Sequence, residues 1–224
     1  MFDRIAARYD LLNHLLSAGI DRRWRTRAVQ ALALTGRERV LDLCTGTADL
    51  AIAAARATPP AHWVVGVDLA GAMLRVASGK LRRDRLVDRV RLVRGSATSI
   101  PLGGGSVDAV TVAFGIRNVE DPVAACREIH RVLSPGGRAA ILEFAIPRSW
   151  FLGPLYLWYF NHVLPRVGRI VSRDASAYGY LSASVNAFRS PDEFVTMLNQ
   201  TGFVDVAATR LTFGIVFLYT ARKG

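Results

Sequence analysis

The chain has 224 residues, 51% hydrophobic and 21% charged, which is enough apolar material for a full core and too much for a disordered tail. Its two cysteines, Cys44 and Cys126, exclude a disulfide-dense scaffold or a four-cysteine zinc site, and His14, His62, His130 and His162 form no metal-binding spacing. The net charge of +11 rests almost wholly on arginine, with Lys80 and Lys223 the only lysines, so it admits nucleic acid, an anionic membrane surface, an anionic ligand or simply a solvated face.

Phe2, Ile5, Tyr9, Leu12 and Leu16 recur at spacings of three and four and predict an amphipathic helix, after which Asp21 is placed to cap a second helix through about residue 34. Short β-rich runs then alternate with helical patterns. Strands are predicted over 39–43, 63–67, 90–93, 107–114 and 138–144, with helices over 50–57, 71–81 and 121–133. Continuous apolar strands in this alternation imply a parallel sheet covered on both faces, an α/β class. Residues 147–190 read as a helical insertion. Ser190-Pro191-Asp192 opens a closing helix that Gly202 ends, and 204–209 with 213–219 read as a terminal antiparallel hairpin. The chain is thus expected to be one domain: a helical cap over 1–36, a ligand-binding core over 37–146, the insertion over 147–190 and a closing unit over 191–224. No apolar run reaches the roughly 20 residues of a membrane span, and the opening residues carry no apolar h-region, so a cytoplasmic location is expected.

In open α/β sheets, ligands bind beyond the carboxyl ends of the strands. The first strand runs into Asp42-Leu43-Cys44-Thr45-Gly46-Thr47-Ala48-Asp49, which lacks the G-x-G-x-x-G pattern of dinucleotide sites. Asp42 and Asp49 would repel a pyrophosphate and suit a cationic ligand such as a sulfonium nucleoside, and Gly46 permits close backbone approach. Asp68 ends the second strand, placed either for two ribose hydroxyls or to cap the next helix. Gly95-Ser96-Ala97 follows the third strand with side chains small enough for a flat base to lie against. Phe114-Gly115-Ile116-Arg117-Asn118 follows the fourth, where Arg117 and Asn118 present donors at the ligand edge or, for the arginine, pair with a nearby acid. Six of the chain's twenty aromatics fall within 150–160, as a buried helix, an apolar entrance or a membrane-facing patch.

Taken together, these motifs resemble the demethylmenaquinone and ubiquinone-biosynthesis C-methyltransferase family. The resemblance rests on Phe2-Asp3-Arg4-Ile5-Ala6-x-x-Tyr9-Asp10-x-x-Asn13 and on Val40-Leu41-Asp42-Leu43 with Gly46-Thr47-x-Asp49. Phe114-Gly115-Ile116-Arg117-Asn118-Val119, Arg131-Val132-Leu133-x-Pro135-Gly136-Gly137-Arg138, Leu142-Glu143-Phe144 and Tyr178-x-Tyr180-Leu181-x-x-Ser184 continue it, so that it covers nearly the whole chain. It departs at Ala48, where glycine is usual, at Ala113, where serine is common, and at Ser96, in place of asparagine.

The resemblance implies a Rossmann-like class I methyltransferase with a seven-stranded, mostly parallel sheet. The implied reaction is S-adenosyl-L-methionine-dependent C-methylation of a prenylated quinol, releasing S-adenosyl-L-homocysteine and using no metal. By the same resemblance and the readings above, Asp42, Gly46, Thr47, Asp68, Leu69, Ser96, Ala97 and Phe114 bind the cofactor. Tyr9, Asn13, Arg117 and Tyr178 meet the substrate, and Arg117, Asn118 and Tyr9 serve the chemistry, Arg117 by stabilising phenolate charge. The acceptor is demethylmenaquinol or, alternatively, the ubiquinone precursor 2-polyprenyl-6-methoxy-1,4-benzoquinol. The expected partners are this quinol, a membrane surface touched peripherally and a second copy of the chain, with no nucleic acid. An RNA methyltransferase and a non-catalytic accessory protein of quinone synthesis are the rival readings.

Overall fold

The sheet is laid down by strands whose alternate residues are buried on opposite faces. Val40, Val64, Ala109, Ala140, Leu142, Val216 and Leu218 enter one apolar cluster. Their neighbours Leu41, Val65, Val110, Ala139, Ile141 and Tyr219 enter the other. A period of two with both phases buried is what a sheet covered on both faces requires.

The computed structural model describes residues 17, 19–146, 184, 185 and 187–224. In chain order these form α1 (Asp21–Ala31), β1 (Arg39–Leu43), α2 (Asp49–Ala55), β2 (Trp63–Asp68), α3 (Gly71–Arg83), β3 (Val90–Arg94), β4 (Val107–Ala113), a 3₁₀ turn (Ile116–Asn118), α4 (Pro122–Val132), β5 (Leu133–Phe144), α5 (Pro191–Gln200), β6 (Phe203–Leu211), a second 3₁₀ turn (Thr212–Gly214) and β7 (Val216–Lys223). The helix expected over 2–16 and residues 147–183 of the insertion expected over 147–190 lie outside the described residues.

The sheet has seven strands in the order β3-β2-β1-β4-β5-β7-β6. The first five pair in parallel, and β7 runs antiparallel to both of its neighbours. Helices α1, α2 and α3 cover one face through Trp24, Ala28, Ala51, Ala54, Ala77 and Leu81. Helices α4 and α5 cover the other through Ala125, Cys126, Ile129, Phe194 and Leu198. The strand order reverses between β1 and β4, and at that switch point a doubly wound sheet opens a crevice.

Local signals account for two of the helix starts. The Asp121 side chain accepts from the Ala124 N–H at 2.9 Å, and Pro122 opens α4. Ser190 and Glu193 form a reciprocal capping box ahead of α5.

Three readings are corrected. Asp21 is not a cap but the first residue of α1, where it takes the Ser17 hydroxyl (2.8 Å) and pairs with Arg25. β5 begins at Leu133 rather than at 138, because Leu133 already pairs with Val107 before a register shift absorbs the Pro135-Gly136 segment. β7 starts at Val216, since Phe213 lies in the turn with φ +57 and is 74% exposed.

Candidate active site

A cavity of about 580 Å³ opens at the carboxyl ends of β1, β2, β3 and β4. Its wall comprises Leu43, Cys44 and Gly46 after β1, Asp68, Leu69 and Ala70 after β2, Gly95 to Thr98 after β3, and Phe114, Gly115, Asn118, Val119 and Glu120 after β4.

The β1–α2 turn is bent by three left-handed residues, Cys44 (φ +54), Gly46 (φ +55) and Ala48 (φ +69). Only the glycine adopts this conformation without strain. A Cβ at Gly46 would meet no atom within 4 Å, so the turn leaves an open backbone face there. Alanine at position 48 is held left-handed by full burial and by its N–H bond to the Thr45 carbonyl at 2.8 Å.

Asp42 lies beneath this turn rather than on the cavity wall. It accepts from the Thr45 hydroxyl at 2.5 Å, the Thr111 hydroxyl at 2.8 Å and the Ala51 N–H at 3.1 Å. Burial raises its pKa to about 6 against the opposing pull of these bonds and of Arg25. Asp49 also turns inward, pairing with Lys80 and, at 3.6 Å, with Arg25. The two carboxylates that the sequence offered to a cationic ligand are therefore internal braces, because a buried carboxylate needs its own donors and counter-charges. Thr47 is likewise buried, and its hydroxyl accepts from Lys80 Nζ at 3.3 Å.

Asp68 does reach the cavity. Its Oδ2 accepts the Gly46 N–H and its Oδ1 the Ala70 N–H, each at 2.8 Å. The helix cap is Ala70 itself. Beside Asp68, Leu69 is 65% exposed, and the Arg94 Nε–H holds its carbonyl at 3.0 Å. Ser96 and Ala97 line the opposite side, with the Ser96 hydroxyl 2.9 Å from that of Thr98. Phe114, left-handed at φ +58, stacks on Phe144 with ring centres 4.4 Å apart and meets the edge of Trp24 at 5.9 Å.

Asn118 lines the cavity, and its Nδ2 donates to the Phe114 carbonyl at 3.3 Å. Arg117 is not among the lining residues, because its guanidinium turns inward to Glu143 at 2.5 Å. Tyr9, Asn13 and Tyr178 lie outside the described residues. The sequence reading gave Glu143 no role of its own. Its signal was an acid inside the apolar run Ile141-Leu142-x-Phe144, which demands a basic partner. Among the described residues no group of His, Cys, Asp and Glu is arranged to hold a metal ion, and no helix is long and apolar enough to cross a membrane.

The strand order, with its single reversed strand beside β5, and a ligand crevice at the β1/β4 switch point define the Rossmann-like methyltransferase class. Solved structures share the fold. A SAM-dependent methyltransferase from Thermotoga maritima, titled a possible histamine N-methyltransferase, aligns with TM-score 0.68 at 20% identity, covering 100% of this chain and 98% of that one. The [4+2]-cyclase SpnF aligns with TM-score 0.68 at 17% identity, covering 90% of this chain and 80% of that one. At these identities the likeness speaks to the fold alone.

The sequence comparisons go further. The model of the ubiE/COQ5 methyltransferase family matches residues 1–223. The ubiquinone/menaquinone biosynthesis C-methyltransferase UbiE of Syntrophotalea carbinolica is 51% identical over 98% of this chain and 91% of its own length. The demethylmenaquinone methyltransferase of Bacteroides fragilis (strain YCH46) is 39% identical over 100% of this chain and 91% of its own. The chain belongs to the ubiE/COQ5 methyltransferase family and is an S-adenosylmethionine-dependent C-methyltransferase.

Proposed function

We propose that this enzyme methylates a ring carbon of a prenylated quinol, with demethylmenaquinol as substrate and menaquinol as product. The observation that carries the reading is the Asp68 carboxylate beside the open backbone face of Gly46, in a chain of this family. The described residues fit S-adenosylmethionine. Asp68 suits the ribose hydroxyls, exposed Leu69 and the small Ser96 and Ala97 suit the adenine, and the Gly46 turn and Phe114 suit the remainder. Arg94 is the one basic residue on the described wall, which disfavours a pyrophosphate-bearing coenzyme. Bound there, the cofactor supplies an electrophilic methyl group on a sulfonium.

The acceptor must then be an electron-rich carbon, which the reduced quinol ring has and the oxidised quinone lacks. Asn118 orients a ring hydroxyl from the cavity wall, and Arg117 acts from behind it. Tyr9, Asn13 and Tyr178 are assigned to the substrate by the family resemblance. Asp42 and Thr47 serve the cofactor indirectly, by bracing the turn that carries Gly46. The aromatic run 150–160, with Arg148, Arg166, Arg169 and Arg173, is proposed to meet an anionic membrane surface where the isoprenoid tail resides. Flotation with anionic liposomes tests that contact, and absence of binding with or without quinol rejects it.

The ubiquinone precursor is the second reading, since the name that the Syntrophotalea relative carries covers ubiquinone and menaquinone alike. Labelled methyl transfer measured in parallel on demethylmenaquinol and on 2-polyprenyl-6-methoxy-1,4-benzoquinol separates the two. Transfer to neither, in protein that binds S-adenosylhomocysteine, rejects both.

A further inference from the structure

Behind the Phe114–Asn118 turn, β5 delivers Glu143 to a position with no exposed side-chain surface, against an Arg117 side chain only 5% exposed. Arg117 Nη1 donates to Glu143 Oε1 at 2.5 Å and to the Phe114 carbonyl at 2.7 Å. Its Nε donates to the Ser184 hydroxyl at 3.3 Å, and its guanidinium carbon lies 5.4 Å from the Phe144 ring centre. Glu143 also accepts two backbone N–H groups, from Arg117 at 3.3 Å and from Phe144 at 2.9 Å. The carbonyl held by Arg117 is the one that receives the Asn118 carboxamide. A single chain of bonds therefore runs from a buried acid on β5 to a polar side chain on the cavity wall.

We propose that Glu143 is a positioning residue for methyl transfer: it holds Arg117, which fixes the Phe114 carbonyl and thereby the Asn118 carboxamide against the substrate. The inference deepens the methyl-transfer reading above and rests on it. Buried ion pairs seldom stabilise a fold more than apolar residues of the same volume would, so fold stability alone is a weak reason for this one. Its geometry supplies another. Without Glu143 the guanidinium loses its counter-charge and its fixed fork, and the carbonyl that orients Asn118 loses its anchor.

Glu143→Gln keeps the side chain's size and removes its charge. Since an ångström of misplacement costs on the order of a hundredfold in rate, kcat falls about 10- to 100-fold while quinol KM and S-adenosylhomocysteine affinity stay within about twofold. In an Arg117→Gln background the same change has no further effect on kcat, because the pair acts as a unit. The Asn118 side-chain amide resonances of the S-adenosylhomocysteine-bound protein also shift. Unchanged kcat, losses that multiply in the double variant, a matching loss of cofactor affinity, or unmoved Asn118 resonances would each overturn the proposal. Should Glu143→Gln not fold, Glu143→Asp, with its charge one methylene short, carries the same readouts. Failure of the functional reading looks different: the unaltered enzyme methylates neither quinol, while the Asn118 amide still responds to Glu143.

Discussion

The Asp68 carboxylate and the Gly46 N–H, 22 residues apart in sequence, meet at 2.8 Å and tie the carboxyl ends of β1 and β2 into one wall of the cavity. Because the second Asp68 oxygen takes the Ala70 N–H, both oxygens must be acceptors. Asparagine would turn an NH₂ group against one of these donors. Losing charge-assisted bonds of about 1.5–3 kcal/mol weakens binding roughly 10- to 100-fold. Asp68→Ala and Asp68→Asn are therefore both expected to lose S-adenosylhomocysteine affinity on that scale by calorimetry, with asparagine no rescue. Affinity preserved in either variant would remove Asp68 from the cofactor site.

Gly115 is constrained by space rather than by its backbone angle. A Cβ there would lie 2.3 Å from the Cβ of Cys44. Gly115→Ala should destabilise the protein by about 1–3 kcal/mol, the usual cost of overpacking, and weaken cofactor binding. Adding Cys44→Gly removes the opposing carbon at a left-handed position that glycine prefers, so the double variant should recover much of the loss. Chemical denaturation of the two single variants and the double variant checks this, and additive losses would refute it.

Asp108 sets part of the acid limit. The hydrogen bond from Arg39 leads in lowering its pKa to about 2, with an N–O distance of 2.8 Å. A carboxyl held lower when folded than when unfolded contributes stability above its unfolded value, near pH 4, and loses it as pH falls through about 2. Both side chains are partly exposed, so solvent screening limits the contribution to about 1 kcal/mol. Asp108→Asn should flatten the stability–pH curve between pH 4 and 2 by that amount in urea titrations. A slope equal to that of the unaltered protein would count against it.

Asp42 has the opposite sign. Burial raises its pKa to about 6, so its contribution is present below its unfolded value and is lost as pH rises through about 6. Carbon-13 NMR of aspartate carboxyls should show one resonance with its midpoint near 6. If every aspartate has titrated by pH 5, Asp42 is not held as described.

Neither cysteine should react in the native state. Burial pushes the Cys44 thiol far above its ordinary range, aided by Asp68, Asp42 and Glu143, and raises Cys126 to about 12. Alkylation proceeds through the thiolate. Iodoacetamide at pH 8 should therefore leave both unmodified by mass spectrometry until urea is added, and rapid native labelling of Cys44 would contradict the structure.

The sheet was legible because burial on both faces leaves unbroken apolar runs, and because Asp121-Pro122 and Ser190-Pro191 mark helix starts through bonds local in sequence. The cavity wall was legible at Asp68, Leu69 and Ser96, which stand just where strands end and the sheet opens. It was misread at Asp42 and Asp49, since sequence does not tell a carboxylate facing a ligand from one facing Thr111 or Lys80. Arg117 shows the same limit from the other side. Its partner stands 26 residues away on another strand, and only the pairing of β4 with β5 brings the two together.

β7 follows β6 in the chain and yet is not at the rim of the sheet. β7 lies between β5 and β6, so until Val216–Lys223 leaves the ribosome the long β5 strand has a bare ladder of N–H and C=O groups. A nascent chain paused before that point would present this ladder to other chains. Arrival of β7 is thus the step that covers the β5 edge, and ribosome stalling upstream of it should favour aggregates over slow refolding.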